Sequence, residues 1–179
     1  MQRRTAVKYL FVVAAGSAIV PSCLHKTDKA SIALRHLDIN AEQEKLLAEI
    51  AETIIPGGAA PGAKDTYAHL FVLKMVDDCY EVQQQKTFSV GLKEIDDITK
   101  QKWGISFLKC TNQQRNEIVN LLEDKKASSN AIQCYQIIKP LTIQAYITSK
   151  PVLGDIFKYE LVPGRYNGFF PVKKIVHQA

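Results

Sequence analysis

The amino-acid sequence predicts an all-α protein, folded as a single compact helical domain of about five helices. Three observations support this fold class. Apolar residues recur at helical spacing along most of the chain after residue 40, capping signals precede several of these stretches, and proline or glycine separates them. Hydrophobic residues make up 46% of the chain and charged residues 23%, as is ordinary for a soluble globular domain. We also expect an irregular, aromatic-rich C-terminal segment, and a signal peptide and polar tether ahead of the domain.

The first helix is predicted to begin after Asn40. The Asn40 side chain can cap the first turn while Gln43 reaches back to it, which is a capping-box arrangement. The apolar residues that follow at helical spacing are Leu46, Leu47, Ile50, Ala51 and Ile54. Pro56-Gly57-Gly58 then ends the helix. The small-residue loop that continues to Ala63 lacks the Gly-x-Gly-x-x-Gly spacing and a Walker lysine, so it does not predict a nucleotide site.

The later helices follow from similar signals. They are expected at Asp65 to about Gln85, at Lys86–Lys102, after Thr111, and at Ala131 to about Thr148. Thr111 forms a second capping box with Gln114, and Asn130 is expected to cap the last helix. Pro140 falls inside that last helix and should kink or split it, because proline removes a backbone donor and crowds the preceding turn.

The C-terminal segment differs from the rest of the chain. Its turn signals are Leu153-Gly154-Asp155, Val162-Pro163-Gly164 and Asn167-Gly168. The aromatic residues among them are Phe157, Tyr159, Tyr166, Phe169 and Phe170. Such a segment either packs on its own domain or serves as a docking surface for another protein, because aromatic residues are frequent interface anchors. The sequence leaves both interpretations open.

The first residues of the chain predict an exported protein. Arg3, Arg4 and Lys8 form a basic region, and the 12 apolar residues Tyr9–Val20 are too few to span a hydrocarbon core of roughly 30 Å. The paired arginines, followed by a variable residue, two apolar residues and a lysine, resemble a twin-arginine export signal, which carries folded proteins. The alternative is an ordinary secretory signal. We expect residues 1–22 to be the signal peptide.

A cysteine stands at the expected cleavage point. Val20-Pro21-Ser22-Cys23 resembles a bacterial lipobox, and acylation of Cys23 would anchor the mature protein without a transmembrane helix. The alternative is a cysteine that merely ends the apolar run. We therefore expect a periplasmic, membrane-associated lipoprotein of a Gram-negative bacterium, with a tether over residues 23–38 and the helical domain over residues 39–179.

The charge balance does not predict a nucleic-acid partner. The chain has a formal net charge of +5, but Arg3, Arg4 and Lys8 leave with the signal peptide, and about +2 remains. A basic patch large enough to bind nucleic acid is therefore not expected.

No group of residues predicts a catalytic, cofactor-binding or metal site in this chain. The four histidines, His25, His36, His69 and His177, are not grouped as metal ligands would be. We expect His69 to be a partly buried histidine with its hydrogen bonds satisfied. The acidic pairs Asp77-Asp78 and Asp96-Asp97 are expected on solvated helix faces, because helical neighbours point about 100° apart. No Gly-x-Ser-x-Gly motif is present.

The remaining cysteines are Cys79, Cys110 and Cys134. An odd number of cysteines cannot all pair within one chain. We expect buried free thiols, and one disulfide with one leftover thiol is the alternative in an oxidising compartment.

Two blocks of sequence are similar to a known family. The first block is Ile50-Ala51-Glu52-Thr53-Ile54-Ile55-Pro56 followed by Pro61-Gly62-Ala63-Lys64-Asp65. The second is Leu141-Thr142-Ile143-Gln144-Ala145-Tyr146-Ile147-Thr148-Ser149 followed by Tyr159-Glu160-Leu161-Val162-Pro163-Gly164-Arg165-Tyr166-Asn167-Gly168. Together they resemble the gluconate 2-dehydrogenase subunit 3 family, over roughly Asn40 to Phe170. Ala145 departs from the glycine expected before the tyrosine.

The resemblance implies a subunit that is not an enzyme by itself. Its partner would be an FAD-dependent large subunit of the glucose-methanol-choline oxidoreductase class, and a c-type cytochrome often receives the electrons. The small subunit would hold neither flavin nor haem, and its signal would export the large subunit with it. The alternatives are a stand-alone envelope lipoprotein that acts as a binding or scaffold module, and an enzyme with an unrecognised site.

The candidate partner interface follows from the same two blocks. Irregular segments that are rich in proline, glycine and aromatic residues suit a stable interface well above about 1,000 Å². The candidate residues are Pro56, Pro61, Gly62, Tyr146, Pro163, Gly164, Arg165 and Tyr166.

Overall fold

The computed structural model describes residues 29–162 together with Gly164 and Phe169. The expected export and lipidation residues, Arg3, Arg4, Lys8 and Cys23, lie outside the described residues. Within them the chain forms five α-helices, which confirms the predicted all-α class. The helices are α1 (Ala41–Ile54), α2 (Ala68–Cys79), α3 (Val82–Trp103), α4 (Asn112–Glu123) and α5 (Ser129–Ile147). A 3₁₀ turn, Phe107–Lys109, precedes α4, and a π-helical turn, Val152–Ile156, follows α5.

Helices α3 and α5 form the most extensive helix–helix contact of the fold. Gly91 on α3 allows their backbones to approach closely. A Cβ atom added there would lie 2.4 Å from the Cβ of Cys134 and 2.5 Å from the backbone oxygen of Asn130. The other helices pack with α3 and α5 around the main hydrophobic core. The largest fully buried side chains of that core include Phe88, Phe107, Leu47, Ile50, Leu73, Leu92, Ile95, Ile118 and Ile138.

The predicted boundary between the second and third helices was wrong. Helix α2 ends at Cys79, six residues before its expected end, and Tyr80 is extended. Helix α3 then begins at Val82, four residues earlier than expected. The Gln85 side chain explains the break, because its Nε2 donates to the carbonyl oxygens of Val76, Asp77 and Tyr80 at 3.0–3.1 Å. A buried glutamine thus satisfies the free carbonyl groups at the end of α2.

The start of the last helix also differs from the prediction. Ser128, not Asn130, caps α5, and its Oγ accepts from the amide of Ala131. Asn130 instead donates from Nδ2 to Glu94 Oε1 at 2.8 Å, and this contact ties the start of α5 to α3. The helix continues through Pro140, so the proline does not split it.

The N-terminal strap, residues 29–39, packs on the helical domain. Lys29 pairs with Asn40 in an isolated antiparallel bridge, and the side chains of Leu37 and Ile39 are only 7% and 4% exposed. Both belong to the main hydrophobic core. Residues 29–38 of the stretch expected to be a tether are therefore part of the folded domain, and residues 23–28 lie outside the described residues.

Asp77 holds the strap in place, which corrects the expectation that it lies on a solvated helix face. It is 1% exposed, and its carboxylate accepts backbone hydrogen bonds from Arg35 (2.8 Å), His36 (2.7 Å) and Leu37 (2.9 Å). Burial favours the neutral acid, but these three amides and the nearby ammonium group of Lys74 outweigh it, so the pKa of Asp77 falls to about 2. The charged carboxylate is therefore a structural element of the fold.

In the second acidic pair, Asp96-Asp97, one carboxylate again binds the fold and the other faces solvent. Asp96 accepts from Ser106 Oγ at 2.6 Å and from the Phe107 amide at 2.9 Å, and it fixes the 3₁₀ turn on α3. Asp97 is 63% exposed at its side chain, as expected. In each pair, one carboxylate binds backbone amides and its neighbour faces solvent.

Candidate functional site

The two sequence blocks meet in the folded chain. A buried cluster consists of four alanines: Ala51 of α1, Ala63 of the first connection, Ala68 at the start of α2 and Ala145 of α5. Small side chains allow the loop after α1 to lie directly against α5. Ala145, the residue that departs from the expected glycine, is 6% exposed and packs within this cluster. The first block and the helical part of the second block thus pack together, although they are about 80 residues apart in sequence.

The proline–glycine loop, residues 55–67, closes on the carboxylate of Glu52. Its Oε1 accepts from the Gly57 amide at 2.8 Å, and its Oε2 accepts from the Lys64 amide at 3.0 Å. A Cβ atom added to Gly62 would lie 2.6 Å from the Gly57 nitrogen and 2.7 Å from Glu52 Oε2. Gly62 is therefore required for this closure and is buried beneath it, so it offers little surface to a partner.

Further contacts fix the loop to α1 and α4. The Asp65 carboxylate accepts from the Gly62 amide at 2.8 Å. Glu49 on α1 accepts from Lys64 Nζ at 2.7 Å and from Arg115 Nη1 at 2.6 Å. Arg115 in turn donates to the backbone oxygens of residues 107 and 108. The loop is consequently a preformed element of the free subunit.

The loop ends at Tyr67, which the sequence reasoning did not single out. Tyr67 adopts a left-handed conformation with φ 54° and ψ 33°, and its side chain is 66% exposed. Its ring centroid lies 6.4 Å from that of His69. A non-glycine residue at positive φ is uncommon, and it is the structural signal that draws attention to this position.

His69 is partly buried, as expected, but its hydrogen bonds are not all satisfied. Its Nδ1 is buried and has no hydrogen-bond partner among the described residues. Burial lowers the pKa of His69; the Lys64 ammonium lowers it further, whereas the Glu44 carboxylate acts in the opposite direction. The ring is therefore neutral at pH 7.

The structure places the predicted interface residues in different environments. Pro56 and Gly164 are exposed, whereas Pro61 and Tyr146 are half-buried. Pro163, Arg165 and Tyr166 lie outside the described residues. Ala63 of the loop and Ala145, which precedes Tyr146, lie in the same cluster, and the role of these segments in binding a partner stays a prediction.

A second surface lies on α5 and the C-terminal arm, which we define as residues 156–162. On the outer face of α5, Ile143 and Ile147 are 40% and 44% exposed and lie one helical turn apart. The arm is attached through Val152, which is buried, and through the Tyr159 amide, which donates to the oxygen of Leu153 at 2.9 Å. Exposed apolar side chains along the arm and beyond it are Ile156, Phe157, Tyr159, Leu161, Val162 and Phe169. Exposed apolar side chains that adjoin one another are typical of interaction sites.

The described residues contain no catalytic or metal-binding arrangement that we recognise. No group of three or more histidine, cysteine or acidic side chains in the described range could hold a metal ion. Cys110 and Cys134 are buried thiols whose pKa burial raises, and Cys79 is exposed, so the expectation of buried thiols holds for two of the three. A cleft of about 320 Å³ between α1 and α3 includes Asp96, whose carboxylate already binds Ser106, Phe107 and Lys100.

Within the described range, none of the helices combines the length and the apolar character that crossing a membrane requires.

Comparison with known protein families gives one match. The model of gluconate 2-dehydrogenase subunit 3 covers residues 41–164, which include all five helices and the proline–glycine loop. Searches of curated proteins and of solved structures gave no match. Because the family model spans well over half of the sequence, the chain belongs to the gluconate 2-dehydrogenase subunit 3 family, an accessory subunit of a dehydrogenase complex.

Proposed function

We propose that this chain is the non-catalytic small subunit of a periplasmic, FAD-dependent sugar or polyol dehydrogenase. Its partner is a flavoprotein of the glucose-methanol-choline class, and in some complexes a c-type cytochrome accepts the electrons. The chain assists the folding, the export and the membrane docking of the flavoprotein. The observation that carries this proposal is the family match over residues 41–164.

The exposed apolar surfaces support a role in assembly. Leu161 and Val162 are each 82% exposed, and Phe157 is 59% exposed. Interfaces that persist through the life of a complex are larger and more apolar than transient ones, and aromatic residues anchor them. The arm and the outer face of α5 provide such side chains without any change in the helical core.

The packed N-terminal strap would limit the distance between a lipid anchor on Cys23 and the helical domain. Between Cys23 and the first strap residue, Lys29, only six residue steps of chain remain. Fully extended, they reach at most about 20 Å. Acylation of Cys23 would therefore keep the helical domain, and the flavoprotein bound to it, close to the membrane surface.

Co-expression with the large subunit of the same complex tests the proposal. A tagged chain should bring down the flavoprotein in a fixed ratio, identified by its flavin absorbance, and dye-linked sugar oxidation should require the flavoprotein. If the tagged chain stays a monomer and the flavoprotein is active and exported without it, the accessory role is wrong. In that case, a stand-alone envelope lipoprotein becomes the better interpretation.

Variants in the leader separate export from anchoring. Replacing both Arg3 and Arg4 with lysine should retain the chain and the flavoprotein in the cytoplasm, as measured by cell fractionation. Cys23→Ala should leave export intact and release the complex from the membrane. Arrival of the flavoprotein in the periplasm with the lysine variant would contradict co-export.

A further inference from the structure

Tyr67 combines a costly backbone with an exposed aromatic ring. At φ 54° an L-residue pays roughly 1–2 kcal/mol relative to glycine, because its Cβ crowds the neighbouring backbone. The side chain contributes little to the stability of the subunit, because it makes no capping hydrogen bond to α2 and is 66% exposed. A glycine or an asparagine would fit this turn at lower cost. The ring is therefore presented outward at a position where the fold does not need it.

The backbone that carries the ring is fixed on both sides of Tyr67. The Tyr67 amide donates to the oxygen of Lys64 at 3.0 Å, and the Tyr67 oxygen accepts from the Leu70 amide at 3.0 Å. The next residue, Ala68, is fully buried, and its amide donates to the oxygen of Ala63 at 2.9 Å. Anchors held in their bound position before association lose little entropy when the complex forms.

The surface around the ring suits an apolar contact. The neighbouring His69 imidazole lies at 45° to the ring and forms a second aromatic wall. The positive charge of Lys64 is paired with Glu49 at 2.7 Å. A partner that covers Tyr67 would therefore meet two rings and an already neutralised ammonium group.

From this geometry we propose that Tyr67 is an anchor through which the subunit docks on the large dehydrogenase subunit. The inference rests on the proposed function, and the occupant follows from membership in a family whose members are one subunit of a complex. Tyr67 lies two residues after the end of the first sequence block, within the matched region. The partner surface is an apolar pocket with a hydrogen-bonding group at its base for the phenol hydroxyl, as is common for buried tyrosine anchors.

The test uses Tyr67→Asn, because asparagine tolerates the left-handed conformation but removes the ring. The full chain carrying this change is co-expressed with the large subunit, and the dissociation constant of the purified complex is measured. We expect binding to weaken at least about tenfold, while the thermal midpoint of the free subunit stays equal or rises. Tyr67→Phe should lie between the variant and the wild type. Val90→Ala, on an exposed part of α3, is the matched control and should bind as the wild type does.

The outcomes separate this inference from the proposed function. If the wild-type chain does not bind the large subunit, the proposed function itself fails. If the wild type binds and Tyr67→Asn binds equally well, the anchor is refuted. A parallel loss of binding and thermal stability also refutes it, because the ring would then support the fold. If Tyr67→Asn weakens only the association of the chain with a second copy of itself, the ring contacts that copy, and the anchor on the large subunit is refuted.

Discussion

The N-terminal strap and the C-terminal arm are both irregular segments at the ends of the helical bundle, yet they behave in opposite ways. The strap was expected to be a polar tether, but its backbone is held by Asp77 and its Leu37 lies in the core. The arm is rich in apolar residues, but Leu161 and Val162 are 82% exposed. The described part of the expected tether, residues 29–38, is packed, and the described part of the aromatic segment leaves its apolar side chains outside the core.

The difference shows that apolar content alone does not decide whether an irregular segment packs, because both segments contain apolar residues. Backbone amides are obligatory donors, and one buried carboxylate that accepts three of them can hold an irregular segment on the domain. Apolar side chains need a complementary surface, and the core of this bundle is already filled. The arm therefore presents surface that the proposed partner would cover.

The largest expected effect comes from removing the carboxylate that holds the strap. Asp77→Ala leaves three amides without their acceptor and should lower the free energy of unfolding by about 3 kcal/mol, measured by urea denaturation. Asp78→Ala is the matched control on the same helix, and it should change stability by less than about 0.5 kcal/mol. Equal effects of the two changes would mean that the strap is not held by Asp77.

A pair of leucine substitutions compares the two segments directly. Leu37→Ala removes a side chain that is 7% exposed and should cost about 2 kcal/mol of stability. Leu161→Ala should cost less than about 0.5 kcal/mol in the free subunit, because that side chain already faces solvent. Chemical denaturation of both variants measures the contrast. A large loss from Leu161→Ala would show that the arm packs on its own domain.

Acid should weaken the strap through the same carboxylate. The pKa of Asp77 is about 2 in the folded chain and 3.8 in the reference state, so its contribution is fully present above about pH 4. As the pH falls from about 4 towards 2, the unfolded chain takes up the proton first, and about 2 kcal/mol of stability is lost. Asp77→Asn should remove this part of the pH dependence, as measured by denaturation at several pH values.

The smallest expected effect concerns the start of the strap. Ser31 donates to the Glu44 carboxylate from both its amide (2.5 Å) and its hydroxyl (2.6 Å), at an exposed position. Ser31→Ala keeps the amide contact and should cost only about 0.5 kcal/mol. Hydrogen exchange should become faster at the strap amides and stay unchanged in the arm. If hydrogen exchange of the strap amides does not change, the Ser31 hydroxyl does not stabilise the strap, and Asp77 and the buried Leu37 hold it.

Local signals predicted the helices well where the deciding interaction is itself local. The capping boxes at Asn40 with Gln43 and at Thr111 with Gln114 are present in the structure. The end of α2 was missed because Gln85 reaches back over several residues to its carbonyl groups. Such a contact depends on how two helices cross and leaves no periodic pattern in the sequence.

Only part of the candidate interface was predicted, because the rest depends on contacts between segments that are distant in sequence. The sequence blocks identified the proline–glycine loop and Tyr146, but they could not show that Gly62 is buried against Glu52. Tyr67 was missed because the signal that identifies it is its backbone conformation. A tyrosine next to a small-residue loop is otherwise unremarkable in composition.

By itself, the sequence determined the helical class, the main capping positions and the family to which the chain belongs. These depend on the spacing of apolar residues and on residue identity, which are properties of the linear chain. Only the tertiary structure decided which carboxylate of each acidic pair is buried, that the strap is part of the domain, and that Tyr67 faces outward on a fixed loop. Those outcomes depend on which groups meet across the fold, because a buried donor or acceptor must find its partner wherever packing places it.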